Sequence, residues 1–218
     1  MSDYLENAVA KKSTRPTKRD EFTAERLEVL VTKAKSGNLA AFQELYGGYS
    51  KKILNYVYRM TGSRDDAEDL TQDTFILAYK NLNGLKENSK FQSWLYRIAQ
   101  NNVYQKYRTR LPRTESIEGS DMESGVMEMP SSEKSPEEKI LSSELERVIN
   151  KVIGELPDKY RQVFVLSAIH QYSYEMIAEI VGRSLAAVKS DIHRARVEVR
   201  DRVKKYLGDN YGMSSVQG

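Results

Sequence analysis

The sequence predicts an all-α protein of two small helical domains (a helical bundle, then a helix-turn-helix domain) joined by a flexible linker. Three observations predict it. Apolar residues recur at three- and four-residue steps from Glu21 to Arg110, without strand-like alternation. That periodicity breaks over 111–134, a stretch of low hydrophobicity with Pro112, Gly119, Gly125, Pro130, several serines and an excess of Glu and Asp. It resumes at Ser135 and ends in two helices separated by Gly182, the second of them basic.

Residues 1–20 are polar, with Lys11, Lys12, Arg15, Lys18 and Arg19 around Pro16, and read as a flexible basic arm. The first domain, 21–110, opens with a helix through Leu27, Leu30, Val31 and Ala34 that Gly37 ends. Asn38 can cap the next, through Phe42, Leu45, Tyr49, Ile53, Leu54 and Val57 towards Met60, although Gly47 and Gly48 weaken its middle. Ser63 and Asp66 have capping-box spacing, and Asp65 and Asp66 favour a helix N-terminus. That helix carries Ala67, Leu70, Thr74, Leu77 and Ala78. A polar loop, Asn81 to Lys90, leads to a last helix from about Phe91 to Tyr107, with Trp94, Leu95, Ile98, Ala99 and Val103 as its core face.

The second domain spans 135–208. Ser135, Pro136 and Glu138 start a helix whose stripe is Ile140, Leu141, Leu145, Val148, Ile149 and Val152 and which Gly154 closes. Pro157 starts another, through Tyr160, Val163, Phe164, Leu166 and Ile169. Ser173 can cap a short helix bearing Tyr174, Ile177, Ala178 and Val181, Gly182 supplies a left-handed turn, and Ser184 can cap the final helix. Leu185, Val188, Ile192, Ala195, Val199, Val203 and Tyr206 form its buried stripe. A polar tail occupies 209–218.

Two faces carry recognisable chemistry. The final helix presents Lys189, His193, Arg196, Arg200 and Lys204, and between Arg183 and Lys205 eight Lys or Arg face three acids, Asp191, Glu198 and Asp201. Helix, glycine turn and basic helix is the pattern of a helix-turn-helix that enters the DNA major groove, though a solvated helical hairpin shares the spacing. The helix at 91–110 surrounds its core face with Tyr96, Arg97, Gln100, Asn101, Asn102, Tyr104, Lys106, Tyr107, Arg108 and Arg110. Rings stack on unpaired bases, cations meet phosphates and amides read base edges on single-strand-binding surfaces. Spacing alone does not separate that role from a core helix with a solvated basic end.

Net charge is only +3, so nucleic-acid binding must come from these local asymmetries. The absence of cysteine excludes disulfides, thiolate metal sites and cysteine nucleophiles. The two histidines, His170 and His193, are too few and too far apart for a familiar zinc motif. Apolar runs such as Val163–Ile169 fall far short of a membrane span, and the N-terminus lacks a signal-peptide core. The expectation is a cytoplasmic protein with no cofactor, no metal and no membrane insertion.

The segment DAEDLTQDTFILAYKNLNGLKENSKFQSWLYRIAQNNVYQKYR closely resembles region 2 of the extracytoplasmic-function (group IV) sigma factors of the sigma-70 family. The segment LPDKYRQVFVLSAIHQYSYEMIAEIVGRSLAAVKSDIHRARVEVR resembles region 4 of the same family. The resemblance covers about 25–110 and 136–206, in the expected order, and the short linker matches this minimal class. It implies a dissociable specificity subunit that binds bacterial core RNA polymerase, through largest-subunit clamp helices for region 2 and the flap for region 4. The clamp role falls on Asp66, Asp69, Leu70, Gln72 and Phe75, as exposed carboxylates with an apolar anchor. A single-stranded −10 element would meet Asn83, Lys86, Asn88 and Lys90 on the loop and Trp94, Arg97, Gln100, Asn101 and Tyr104 on the helix, with Lys106, Arg108 and Arg110 on phosphates. A duplex −35 element would meet Ser184, Ala187, Lys189, Ser190, His193, Arg194, Arg196 and Arg200. Leu185–Ala186 departs from the family, where polar residues or glycine are usual, so the preferred −35 bases do not follow. The resemblance also implies an anti-sigma factor.

An autonomous helix-turn-helix regulator is the alternative; it accounts for the C-terminal half but not for the aromatic and basic helix at 91–110. An enzyme finds no support in the sequence. Paired acids such as Asp65–Asp66 sit where helix capping explains them.

Overall fold

The computed structural model describes residues 22–110 and 147–211, with the side chains of 109–110 and 207–211 outside the description. The predicted arm, the linker, the helix start at Ser135–Glu138 and the tail from 212 lie outside the described residues. Among the described residues every regular element is helical.

The first domain holds α1 (Ala24–Lys35), α2 (Leu39–Thr61), α3 (Arg64–Asn81) and α4 (Phe91–Arg110), with short 3₁₀ turns at Leu82–Gly84 and Asn88–Lys90 before α4. The expected caps form: Asn38 Oδ1 accepts from Ala41 N at 3.1 Å and Ser63 Oγ from Asp66 N at 3.2 Å. Gly62 ends α2 in the left-handed region at φ 71°. The Asp66 carboxylate takes the ammonium of Lys106 on α4 at 2.6 Å. Val31, Leu45, Ile53, Val57, Ala67, Ala78, Phe91, Leu95 and Ala99 make the core.

The paired glycines do not break α2. Gly48 instead admits the Phe22 ring, whose envelope a Cβ there would enter, and Phe22 lies 6.0 Å from Tyr49 centroid to centroid. Leu77, predicted as core, is exposed, because 75–79 is a run of five apolar residues and one helix face cannot bury them all.

The second domain holds α5 (helical over 147–154), α6 (Asp158–Phe164), α7 (Tyr174–Val181) and α8 (Leu185–Tyr211). Helix α6 passes into a π turn, Val165–Ile169, rather than continuing as α-helix. His170 N bonds Val165 O at 3.1 Å across this widened turn. Ser173 Oγ caps α7 and Ser184 Oγ caps α8, at 3.2 and 3.3 Å, and Gly182 turns between them at φ 65°. Helix α8 runs past the predicted end at Gly208 to Tyr211.

The two domains pack together, and their buried apolar residues form one cluster. The seam is polar as well. Tyr96 on α4 is fully buried, its hydroxyl 3.2 Å from His170 Nδ1 and accepting from Tyr172 at 2.9 Å. Gln162 donates to the Tyr56 hydroxyl at 3.4 Å, and Lys90 pairs with Glu179 on α7. Arg161 donates to the carbonyls of Ile153, Gly154 and Leu156 at the end of α5, and to Met60 near the end of α2 at 3.1 Å.

Candidate nucleic-acid interface

The helix-turn-helix presents one continuous polar face. Ser184, Lys189, Ser190, His193, Arg194 and Arg200 are exposed, with Ala187 and Arg196 half-buried beside them, while Val188, Ile192, Ala195 and Val199 fill the opposite stripe. Asp191 is the exception among the charged residues: it is buried and pairs with Arg183 in the turn, so it fixes α8 against the turn instead of diluting the surface charge. Tyr160 on α6 holds Arg194; that contact raises the guanidinium pKa and lowers that of the phenol. Arg202 is bound by Glu155 and Glu198, at 2.9 and 2.7 Å. The N-terminal half of α8, nearest the turn, thus carries Lys189, Arg194 and Arg196 with no exposed acid of its own, at the place where a recognition helix meets base edges.

Apart from Trp94 and Arg110, the loop and α4 residues divide into three groups. Asn83, Lys86, Asn101 and Arg108 stand exposed. Lys90, Arg97, Gln100 and Tyr104 border the seam with the second domain: Lys90 pairs with Glu179, the Arg97 guanidinium lies beside Gly182, and Tyr104, hydrogen-bonded to Gln100, reaches Gln162 at 3.5 Å. Asn88 and Lys106 are engaged inside the first domain, Lys106 with Asp66 and Asn88 with α1. Trp94 is half-buried, 6.0 Å from the Phe91 ring. The side chain of Arg110 lies outside the described residues.

Two residues of the predicted aromatic and polar surface are in fact interior. Tyr96 is covered by the second domain, and Asn102 is 8% exposed, donating to Thr74 Oγ1 at 3.1 Å while Thr74 donates to Leu70 O at 2.6 Å.

On α3, Asp69 and Gln72 are exposed and Asp66 is half-buried against Lys106, but Leu70 and Phe75 are 5% and 4% exposed. The apolar surface there is made instead by Tyr46, Ile76, Leu77 and Tyr79. Tyr46 stacks edge-on over Phe75 at 4.7 Å, and Tyr79 over Phe42 at 4.9 Å. The five-residue apolar run at 75–79 was the sequence signal for this patch. Among the described residues no cluster of His, Asp and Glu is placed to hold a metal, and no helix is long and apolar enough to cross a membrane.

Known proteins resemble the chain over both domains. Residues 45–111 match the family described as Sigma-70 region 2, and 146–199 match Sigma-70, region 4. The ECF RNA polymerase sigma factor SigW of Bacillus subtilis is 36% identical over 180 residues, covering 80% of this chain and 95% of that protein. The ECF RNA polymerase sigma-E factor of Haemophilus influenzae is 34% identical over 183 residues, covering 83% and 96%. Among solved structures, CnrH in complex with the cytosolic domain of CnrY aligns at a TM-score of 0.63 and 25% identity, covering 83% of this chain and 98% of that one. With both sigma-70 regions in order and relatives matched over nearly their full length, the chain belongs to the extracytoplasmic-function sigma factors of RNA polymerase.

Proposed function

We propose that this sigma factor divides promoter recognition between its two domains, with the exposed face of α8 reading the −35 element as duplex and the loop before α4, together with α4, holding the −10 element as an unpaired strand. The observation that carries this is the pair of separate polar faces, one on a capped helix after a left-handed glycine turn and one on a helix preceded by an anchored loop. On α8, Lys189, Arg194 and Arg196 donate to guanine edges or phosphates, Ser184, Ser190 and Ala187 meet bases, His193 and Arg200 meet the backbone, and a good bidentate contact discriminates by about 1–3 kcal/mol. On the first domain, Asn83, Lys86 and Asn101 approach flipped bases, and Arg108 a phosphate. Arg97, Gln100 and Tyr104 join them once the second domain moves off α4, which also releases Lys90 from Glu179. Unstacking a base costs a few kcal/mol, which stacking and edge hydrogen bonds offset.

Docking on polymerase uses Asp69 and Gln72 as the polar rim and Tyr46, Ile76, Leu77 and Tyr79 as the apolar centre, with Phe75 supporting Tyr46 from below. The second domain meets the flap. The protein redirects an enzyme and catalyses nothing itself, works in the cytoplasm beside the polymerase, and is held in check by an anti-sigma factor; in support, the similar CnrH is held in complex with the cytosolic domain of CnrY. Transcription in vitro with bacterial core polymerase, with and without the protein, on fragments including the protein's own upstream region, tests the reading. Discrete start sites that require the protein support it; core polymerase that neither binds the protein nor gains a start site refutes it.

A further inference from the structure

The loop that would meet the −10 strand is fastened to a helix that makes no other part of that surface. Lys35, in the last turn of α1, sends its ammonium to the Leu85 carbonyl at 2.5 Å and to Asn88 Oδ1 at 2.6 Å. Asn88 Nδ2 donates to Thr32 Oγ1 at 2.8 Å, and the Thr32 hydroxyl in turn donates to the Glu28 carbonyl at 2.7 Å. The bonds run in one direction, each donor meeting an acceptor, and those between α1 and the loop join residues 50 to 56 positions apart. Buried Leu82 and Leu85 pin the loop from below. Leu85 and Asn88 bracket exposed Lys86, and the 3₁₀ turn that Asn88 begins runs directly into Phe91 and α4.

We infer that Lys35 and Thr32 are positioning residues for −10 recognition: through Asn88 and the Leu85 carbonyl they set the shape of the base-reading loop, and Asn88 acts as the strut of that loop and not as a reader of bases. The inference rests on the proposed −10 role of the loop. A charge-assisted pair of bonds to one loop carbonyl and one loop amide holds that geometry more firmly than neutral bonds would, and recognition groups depend on such supporting contacts. Asn88 has its acceptor and a donor already committed, which leaves little of its amide for a base.

The test uses holoenzyme reconstituted from core polymerase and the full chain. The probe is a fluorescent single strand covering the −10 element of a promoter mapped with the wild-type protein, together with its single-base variants. Lys35→Met is expected to reduce discrimination among these strands by about tenfold, the equivalent of one charge-assisted bond, and Asn88→Ala by a similar factor. Lys35→Arg keeps the donors and recovers discrimination. The double variant is expected to be no worse than the weaker single one, since both act through one contact. Thr32→Val removes the acceptor for Asn88 Nδ2 and the bond to Glu28 but leaves both Lys35 bonds in place, and a smaller loss supports the same chain. If Lys35→Met does not assemble with core polymerase, Thr32→Val with Asn88→Ala supplies the cycle.

Three results overturn the inference by itself. Additive losses in the double variant make Asn88 an independent base reader. A uniform loss of affinity for every strand, with the salt slope reduced by about one, makes Lys35 a phosphate contact. Wild-type discrimination in all the variants removes the role altogether while leaving the −10 reading intact. If the wild-type holoenzyme itself does not discriminate among the strands, the −10 reading falls and the inference falls with it.

Discussion

Lowering the pH from 7.5 to 5.5 should loosen the seam between the two domains. His170 is half-buried there, facing Tyr96, Tyr172 and Tyr56, and its shielded Nε2 meets no hydrogen-bond partner among the described residues. Burial first, then the positive charges of Arg59 and Lys52, press its pKa from 6.5 down to about 3. The packed pKa lies below the open one, so neutral His170 suits the seam and its protonated form does not. The packed state thus keeps its full stability above pH 6.5 and loses it as pH falls towards 3. Each pH unit in that window removes about 1.4 kcal/mol, so one unit below 6.5 shifts the packed–open equilibrium about tenfold towards open. The chain has no cysteine, so exposed Lys80 and Lys204 can be replaced by Cys and labelled with a fluorescent donor and acceptor without background. Transfer efficiency should fall across pH 7.5 to 5.5 in the labelled protein and stay level when His170→Phe is added. An unchanged signal, or the same response in His170→Phe, would refute the assignment.

Other outcomes follow from contacts inside each domain. Gly47 is exposed in the middle of α2, and a Cβ added there would have no neighbour within 4 Å. Gly47→Ala should therefore stabilise by about 0.5–1 kcal/mol, whereas Gly48→Ala, crowding Phe22, should gain less, as thermal melting of the two variants will show. Thr74→Val strands the buried Asn102 amide and should destabilise by about 1–3 kcal/mol in urea unfolding. Arg196→Ala should weaken binding of a duplex −35 probe by holoenzyme, while Asn101→Ala should impair opening or −10 selection; equal loss of duplex affinity in both would break the division of labour.

The local signals were legible. Asn38, Ser63, Ser173 and Ser184 cap the helices their spacing assigned to them, and Gly37 and Gly182 turn left-handed where their helices end. Each of these features is decided within about four residues, where propensity and hydrogen bonding act directly. What escaped was decided at long range. Tyr96 sits off the core stripe of α4, and it is buried against a histidine 74 positions away. Asn102 reads as surface until Thr74 is found beside it, and Asn88 as a free loop amide until Lys35 and Thr32 close on it. At the candidate site, the split of α8 into an exposed polar face and a buried apolar stripe followed from helical period alone. The apolar centre of the α3 patch did not, because periodicity assigned Leu77 to the core.

Arg161 shows how such a seam can part without unravelling what it joins. Its guanidinium gathers carbonyls from two helix ends, three of them on its own domain and one, Met60, across the boundary. Separation surrenders the single foreign bond to water and leaves the three domestic ones closed. The end of α5 therefore stays sealed whichever way the first domain swings, and the helix-turn-helix arrives at DNA as a finished unit. The residue behaves as a hinge pin fixed in one leaf: it meets the other leaf, but belongs to its own.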